Sequence, residues 1–241
     1  MPSILRLALA LLALCAPVRK EGRVIAAHQT MLEKKMLPYD SEVEWLYRSE
    51  SDAFVGPYII TDVLLENNPI IEMSVMPDAG SSFCWVAGAR RFNSPGVYCN
   101  MAVDVAGGKV RAVYGASTAQ ESTFSISTST FSTFKMTKNA LSVNGVAVKT
   151  YSGTVGTQFS SSGEPKCGIF TLYQTGGESP FQSGGAVKIA WCKIWNDDGA
   201  TLVFDGKAVR AGSVGFLYDA VSGNLYGNAA STGSFGVGPD K

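Results

Sequence analysis

Past residue 37 the chain is a succession of short runs in which apolar and polar positions alternate, each cut off by a turn signal. A period of two is the pattern of a half-buried strand. Residues 42–48 (EVEWLYR) predict a strand with Val43, Trp45 and Tyr47 on one face. Further strands are predicted at 70–76, 83–89, 97–105 and 109–114. Between them stand Pro77-Asp78-Ala79-Gly80, Asn93-Ser94-Pro95-Gly96 and Gly107-Gly108, residues that β-turns select. Residues 124–126 and 134–136 bracket a Ser/Thr-rich tract expected to turn between edge strands. Within 141–149 (LSVNGVAVK), Asn144-Gly145 supplies the positive φ angles of a type I′ hairpin.

The most apolar runs, 167–174 (CGIFTLYQ) and 187–195, are expected to be central strands. Strict alternation puts Lys188 and Lys193 on opposite faces, so one must snorkel or sit beside a bulge. Further hairpins are predicted where 186–196 and 201–204 flank Asp197-Asp198-Gly199, and where 215–219 and 224–226 flank Val221-Ser222-Gly223. No helical crossovers separate the strands, which indicates an antiparallel sandwich or barrel. Its predicted core is Val43, Trp45, Ile71, Val75, Trp85, Ile169, Leu172, Ile189, Trp191 and Leu217. At about 1.5–3 kcal/mol for each large side chain buried, such a core holds a single domain without disulfides.

The first 37 residues differ from the rest. Residues 4–16 (ILRLALALLALCA) are apolar apart from Arg6 and too short for a membrane span. Their length suits a signal peptide, but Arg19, Lys20 and Arg23 follow the run instead of preceding it. Leu12-Ala13-Leu14-Cys15 is similar to a lipoprotein cleavage box, with Leu14 where a small residue belongs. The competing reading is a helix that docks or self-associates, and it continues into 24–36. There Val24 or Ile25, His28, Met31 or Leu32, and Lys35 or Met36 recur at helical spacing. Pro38 should end it. The expected division is therefore 1–37, an anchor or assembly segment, and 38–241, the sandwich.

Composition narrows the chemistry. Twenty basic and twenty acidic residues balance to zero net charge, so there is no basic field for nucleic acid. The five cysteines form no C-x-x-C, and His28 is the single histidine, which argues against zinc. Cys84, Cys99, Cys167 and Cys192 read as buried thiols, with a Cys84–Cys99 bridge as the alternative. Asp197-Asp198 sits at a hairpin tip with too few oxygens for calcium, and no cofactor is expected. Neither G-x-S-x-G nor a P-loop is present. Glu42 with Glu44, and Asp62 with Glu66, are the nearest approach to a carboxylate pair and read as solvated charges. For sugar binding, Trp85, Arg90, Arg91, Tyr98, Asn100 and Tyr114 lie on three successive strands and could converge on one sheet face. The alternative is that Trp85 is core and the others are ordinary surface. Residues 117–133 are either an adaptable contact loop or a soluble edge.

Several segments carry a family resemblance. They are L-P-Y-D-x-E-V-E-W-L at 37–46, F-x-x-F-K followed by N-x-L-x-V-N-G, and a closing series. That series runs K-I-W, T-L-V, V-R, G-x-V-G-x-L-Y-D-x-V-S-G, L-Y-G-N and G-P-D. Together they resemble the concanavalin A/laminin-G-like jelly-roll domains of phage and prophage virion proteins. The resemblance implies a jelly roll over 37–241 with its first and last strands close together. It further implies a non-enzymatic virion structural or adhesion protein that contacts host-surface glycan or a neighbouring virion protein. Residues 1–37 would assemble it with other virion proteins or with itself as a homo-oligomer. The alternative is a secreted or lipid-anchored bacterial lectin-like module. Glycosidases of similar fold show E-x-D-x-E, which this chain lacks.

Overall fold

A computed structural model describes residues 37–49, 56–81, 83–91, 98–105, 107–115, 120–150, 166–175, 181–182 and 185–241. The chain divides between Pro38 and Tyr39. The expected helical segment, the apolar run 4–16, Cys15 and His28 lie outside the described residues, as does the Asn93–Gly96 turn.

The strands, in chain order, are β1 Ser41–Glu42, β2 Leu46–Arg48, β3 Ile59–Ile60, β4 Ile70–Pro77, β5 Phe83–Arg91, β6 Tyr98–Asp104 and β7 Lys109–Tyr114. They continue as β8 Gln120–Thr123, β9 Ser132–Met136, β10 Ala140–Val143, β11 Val146–Thr150, β12 Gly168–Ile169, β13 Leu172–Thr175 and β14 Phe181–Gln182. The last five are β15 Val187–Asn196, β16 Thr201–Ala211, β17 Val214–Asp219, β18 Leu225–Tyr226 and β19 Gly236–Val237.

These strands make a two-sheet β-sandwich. The larger sheet runs β11-β10-β9-β4-β15-β16-β17-β18, with β1, β2 and β19 attached; the smaller runs β14-β13-β5-β6-β7-β8, with β12 and β3 attached. Pairing is antiparallel except where β13 lies parallel to β5. Both sheets contribute to one core, from Ile71, Met73, Phe134, Ile189, Ile194 and Leu217 on one side to Val86, Met101, Val103 and Val110 on the other. The last strand of the sandwich lies beside its first strands, as the resemblance implies: Val237 pairs with Leu46, and Val43 bridges Asp240.

Three readings of the strands need correction. The run 42–48 is two strands, because the alternation slips once between Val43 and Leu46, both fully buried. That slip turns Trp45 and Tyr47 outward and puts Arg48 inside, where its Nη1 donates to the Phe170 carbonyl at 2.8 Å. The run 167–174 is broken too. Phe170 sits at φ 63°, a left-handed kink that separates β12 from β13. Residues 124–126 form no strand, although Phe124 and Ile126 still pack on the core.

The lysine conflict in β15 is resolved by a bulge. Ile189 pairs with Val75 and Trp191 with Ser74, so Ala190 is an extra residue. It resets the alternation, and Lys188, Trp191, Lys193 and Trp195 all face outward while Val187, Ile189, Cys192 and Ile194 face in. The expected core therefore loses Trp45, Trp85 and Trp191, each of which is only half-buried. The predicted Asn144-Gly145 hairpin is present, with φ values of 51° and 79° joining β10 to β11.

Candidate functional site

The six residues expected to converge do not share one face. In the β5–β6–β7 ladder Trp85 lies opposite Ala102, Arg90 opposite Tyr98, and Asn100 opposite Gly88 and Val113, all on the outer side of the smaller sheet. Arg91 closes β5, and the Tyr98 side chain lies outside the described residues. Tyr114 belongs to the inner side: it is opposite Cys99, 3% exposed, and its hydroxyl donates to the Pro69 carbonyl at 2.9 Å. Trp85 touches Phe83 edge-on at 5.1 Å, with the Arg111 guanidinium 5.9 Å from its ring. The centre of this patch is shut, because Asn100 is 1% exposed. Its Oδ1 is buried without a hydrogen bond.

The outer side of the larger sheet is built differently. Trp45, Trp191 and Trp195, three of the four tryptophans in the chain, stand there half-buried, and Tyr47 stands with them. Trp45 and Tyr47 meet edge-on at 6.2 Å. Lysines lie among the rings. Lys188 Nζ is 5.1 Å from the Trp45 ring centre and 5.5 Å from that of Tyr47, and Lys135 Nζ is 5.8 Å from that of Trp195. Such distances fall within the range of cation–π attraction.

Each lysine also has a carboxylate. Lys188 lies 3.7 Å from Asp78, Lys193 3.4 Å from Asp205, Lys135 3.1 Å from Glu72 and Lys207 3.6 Å from Glu42. Tyr47 donates its hydroxyl to Asp78 at 2.7 Å, which fixes one ring of the group. By sequence Trp45 and Trp191 are expected in the core, and the structure puts both on the outer face. The missed signal is the W-C-K-I-W run itself: a lysine that must reach water shares its face with residues two positions either side.

Of Glu42, Glu44, Asp62 and Glu66, two have a lysine partner: Glu42 lies 3.6 Å from Lys207, and Asp62 is held by Lys166. Asp62 receives Lys166 Nζ at 2.6 Å and the Tyr226 hydroxyl at 3.3 Å. The lysine contact, foremost, holds its carboxyl below the ordinary value. Asp62 and Glu66 border an open cleft of about 310 Å³ shared with Asn196, Asp219, Asn224 and Tyr226. Asp219, 1% exposed, accepts from the amides of Asp205, Val221 and Ser222 and from the Ser222 hydroxyl, so it organises the β17–β18 turn. Asn196 ties down the cleft's other wall, accepting from Glu66 N and donating to Leu64 O.

At the Asp197-Asp198 tip, Lys138 Nζ lies 2.9 Å from Asp198 Oδ1, and Asn67 donates to Asp197 at 2.7 Å. Among the described residues no group of three or more His, Cys, Asp or Glu is placed for a metal. Cys84, Cys99, Cys167 and Cys192 are buried, and none of the four is in a disulfide. A Cys84–Cys99 bridge fails on register. Cys84 is opposite Val103, four residues along β6 from Cys99. That is about 13 Å of strand, beyond the roughly 7 Å a disulfide spans between Cα atoms.

No family model and no curated protein matches the chain. Among solved structures it is similar to one described as "a putative carbohydrate binding protein from Bacteroides ovatus ATCC 8483". The identity is 15% and the TM-score 0.51, over 78% of this chain and 58% of that one, so the chain spans under two thirds of its neighbour's length. At that identity the likeness establishes the fold, an all-β sandwich.

Proposed function

We propose that this chain is a non-catalytic carbohydrate-binding sandwich whose glycan platform is the outer face of the larger sheet, with Trp45, Tyr47, Trp191 and Trp195 as stacking surfaces. One observation carries the reading: three of four tryptophans are held half-exposed on a single face, interleaved with ion-paired lysines. Flat aromatic faces receive the C–H side of a sugar ring, and lysine–carboxylate pairs offer donors and acceptors to its hydroxyls. The similarity in fold to a structure described as "a putative carbohydrate binding protein" supports the same reading. Between the two settings that the family resemblance implies, the sugar contact is common to the virion adhesion protein and the lectin-like module. The Trp85 patch is the weaker site, since a ligand there meets a closed Asn100.

Asp62, held ionised beside Lys166, lacks the proton that the acid of retaining or inverting hydrolysis must donate. The test is a glycan array on the full chain with Trp191→Ala as comparison. Ring stacking is worth about 1–3 kcal/mol per aromatic in the nucleic-acid case, so affinity should fall about fivefold or more with the fold unchanged. Glycan binding indifferent to Trp191 would refute the platform.

A further inference from the structure

Resting on that reading, we infer that the platform is selective for a neutral, linear glycan and rejects acidic polysaccharides. The argument is electrostatic. A face built for uronate or sulfate would present unpaired cations, as anion sites do. Here each of the four lysines already has a carboxylate within 3.1–3.7 Å, and the eight groups sum to zero. An anionic sugar would have to displace Asp205 from Lys193 or Asp78 from Lys188. It would exchange one ion pair for another and leave the displaced carboxylate facing it. The chain as a whole adds no attraction, since its net charge is also zero.

The geometry supplies the other half. Trp191 and Trp195 are four residues apart on one regular stretch of β15, about 13 Å along the strand. Trp45 and Tyr47 extend the aromatic row past the Ala190 bulge, on β2 and the residues just before it. A row of that length suits an extended chain of several rings better than a single terminal sugar. Between Trp191 and Trp195 stands Lys193, with Asp205 across the ladder. That pair gives each intervening sugar hydroxyl a donor and an acceptor at fixed positions. The ligand so described is hydroxylated, uncharged and linear.

The experiment is a titration of the full-length chain with neutral soluble oligosaccharides from β-glucan, xylan and galactomannan. It is repeated with polygalacturonate and heparin, each at 50 and 500 mM NaCl. The expected result is binding to at least one neutral series, less than twofold change with salt, and no measurable binding to the acidic polymers. Asp205→Asn, which uncovers Lys193, should gain a salt-sensitive affinity for the acidic polymers. Salt-sensitive binding of an acidic polymer by the unaltered chain, lost in Trp191→Ala, would overturn the selectivity while leaving the platform standing. Absence of binding to every glycan, or binding equal in the unaltered chain and Trp191→Ala, would overturn both. A failure of Asp205→Asn to gain that affinity would count against the charge argument alone.

Discussion

Deleting Ala190 removes the residue that reconciles the two halves of β15. Without it, either 187–189 or 191–196 must turn over relative to β4, because a one-residue slip sends every side chain to the other face. The shorter half is the less costly to flip. Val187 and Ile189, both 0% exposed, would then face solvent, and Lys188 would enter the core. Re-exposing the two aliphatics costs about 3–6 kcal/mol at about 1.5–3 each. Burying an ammonium adds to that. The total is comparable to the whole stability of a typical domain, about 5–15 kcal/mol. Urea denaturation followed by tryptophan fluorescence should show the deletion variant unfolded or with a greatly lowered midpoint. Ala190→Ser, which keeps the extra residue, should stay within about 1 kcal/mol of the parent. A deletion variant with an unchanged midpoint would refute the account of how the tryptophans come to face outward.

Other consequences follow from buried groups. Gly88 has φ 149°, and a Cβ there would come within 2.5 Å of Asn100 Cα and Cys99 O, so Gly88→Ala should cost about 3 kcal/mol or more in denaturant. Asp219→Ala strands four donors, three in the β17–β18 turn and the Asp205 amide on β16, and should lower stability by about 3 kcal/mol, read from the urea midpoint. Burial pushes the Cys167 thiol up from 9.0 to about 12, and Cys99 and Cys192 are raised as well, also chiefly by burial. The folded thiols stay protonated where the unfolded ones ionise. Stability should therefore fall as pH rises above 9, with the Cys167 share lost between 9 and about 12. Replacing Cys167 with alanine should lessen that alkaline slope, and the four described cysteines of the native chain should resist thiol reagents at pH 8.

Much of the sandwich was legible because period-2 alternation and turn residues are local signals. Asn144-Gly145 fixed a hairpin from two residues, and Lys188 against Lys193 announced a bulge without placing it. What was hidden depended on single-residue slips, at 43–46 and at Phe170, where alternation alone gives no phase after the break. The site was hidden for a related reason. Trp45 and Trp191 look like core until the phase of the neighbouring lysines is known, and Tyr114 looks like surface until its strand is paired with Cys99. Arg48 defied its composition outright: a guanidinium in the interior is legible only once Phe170 turns its carbonyl toward it.

The most direct measurement is glycan affinity of the full-length chain against two variants, the double substitution Trp191→Ala, Trp195→Ala and the single substitution Trp85→Ala. Binding abolished in the double variant and retained in Trp85→Ala is the outcome that the larger-sheet platform requires. Binding retained in the double variant and lost in Trp85→Ala would place the sugar on the other sheet and contradict it.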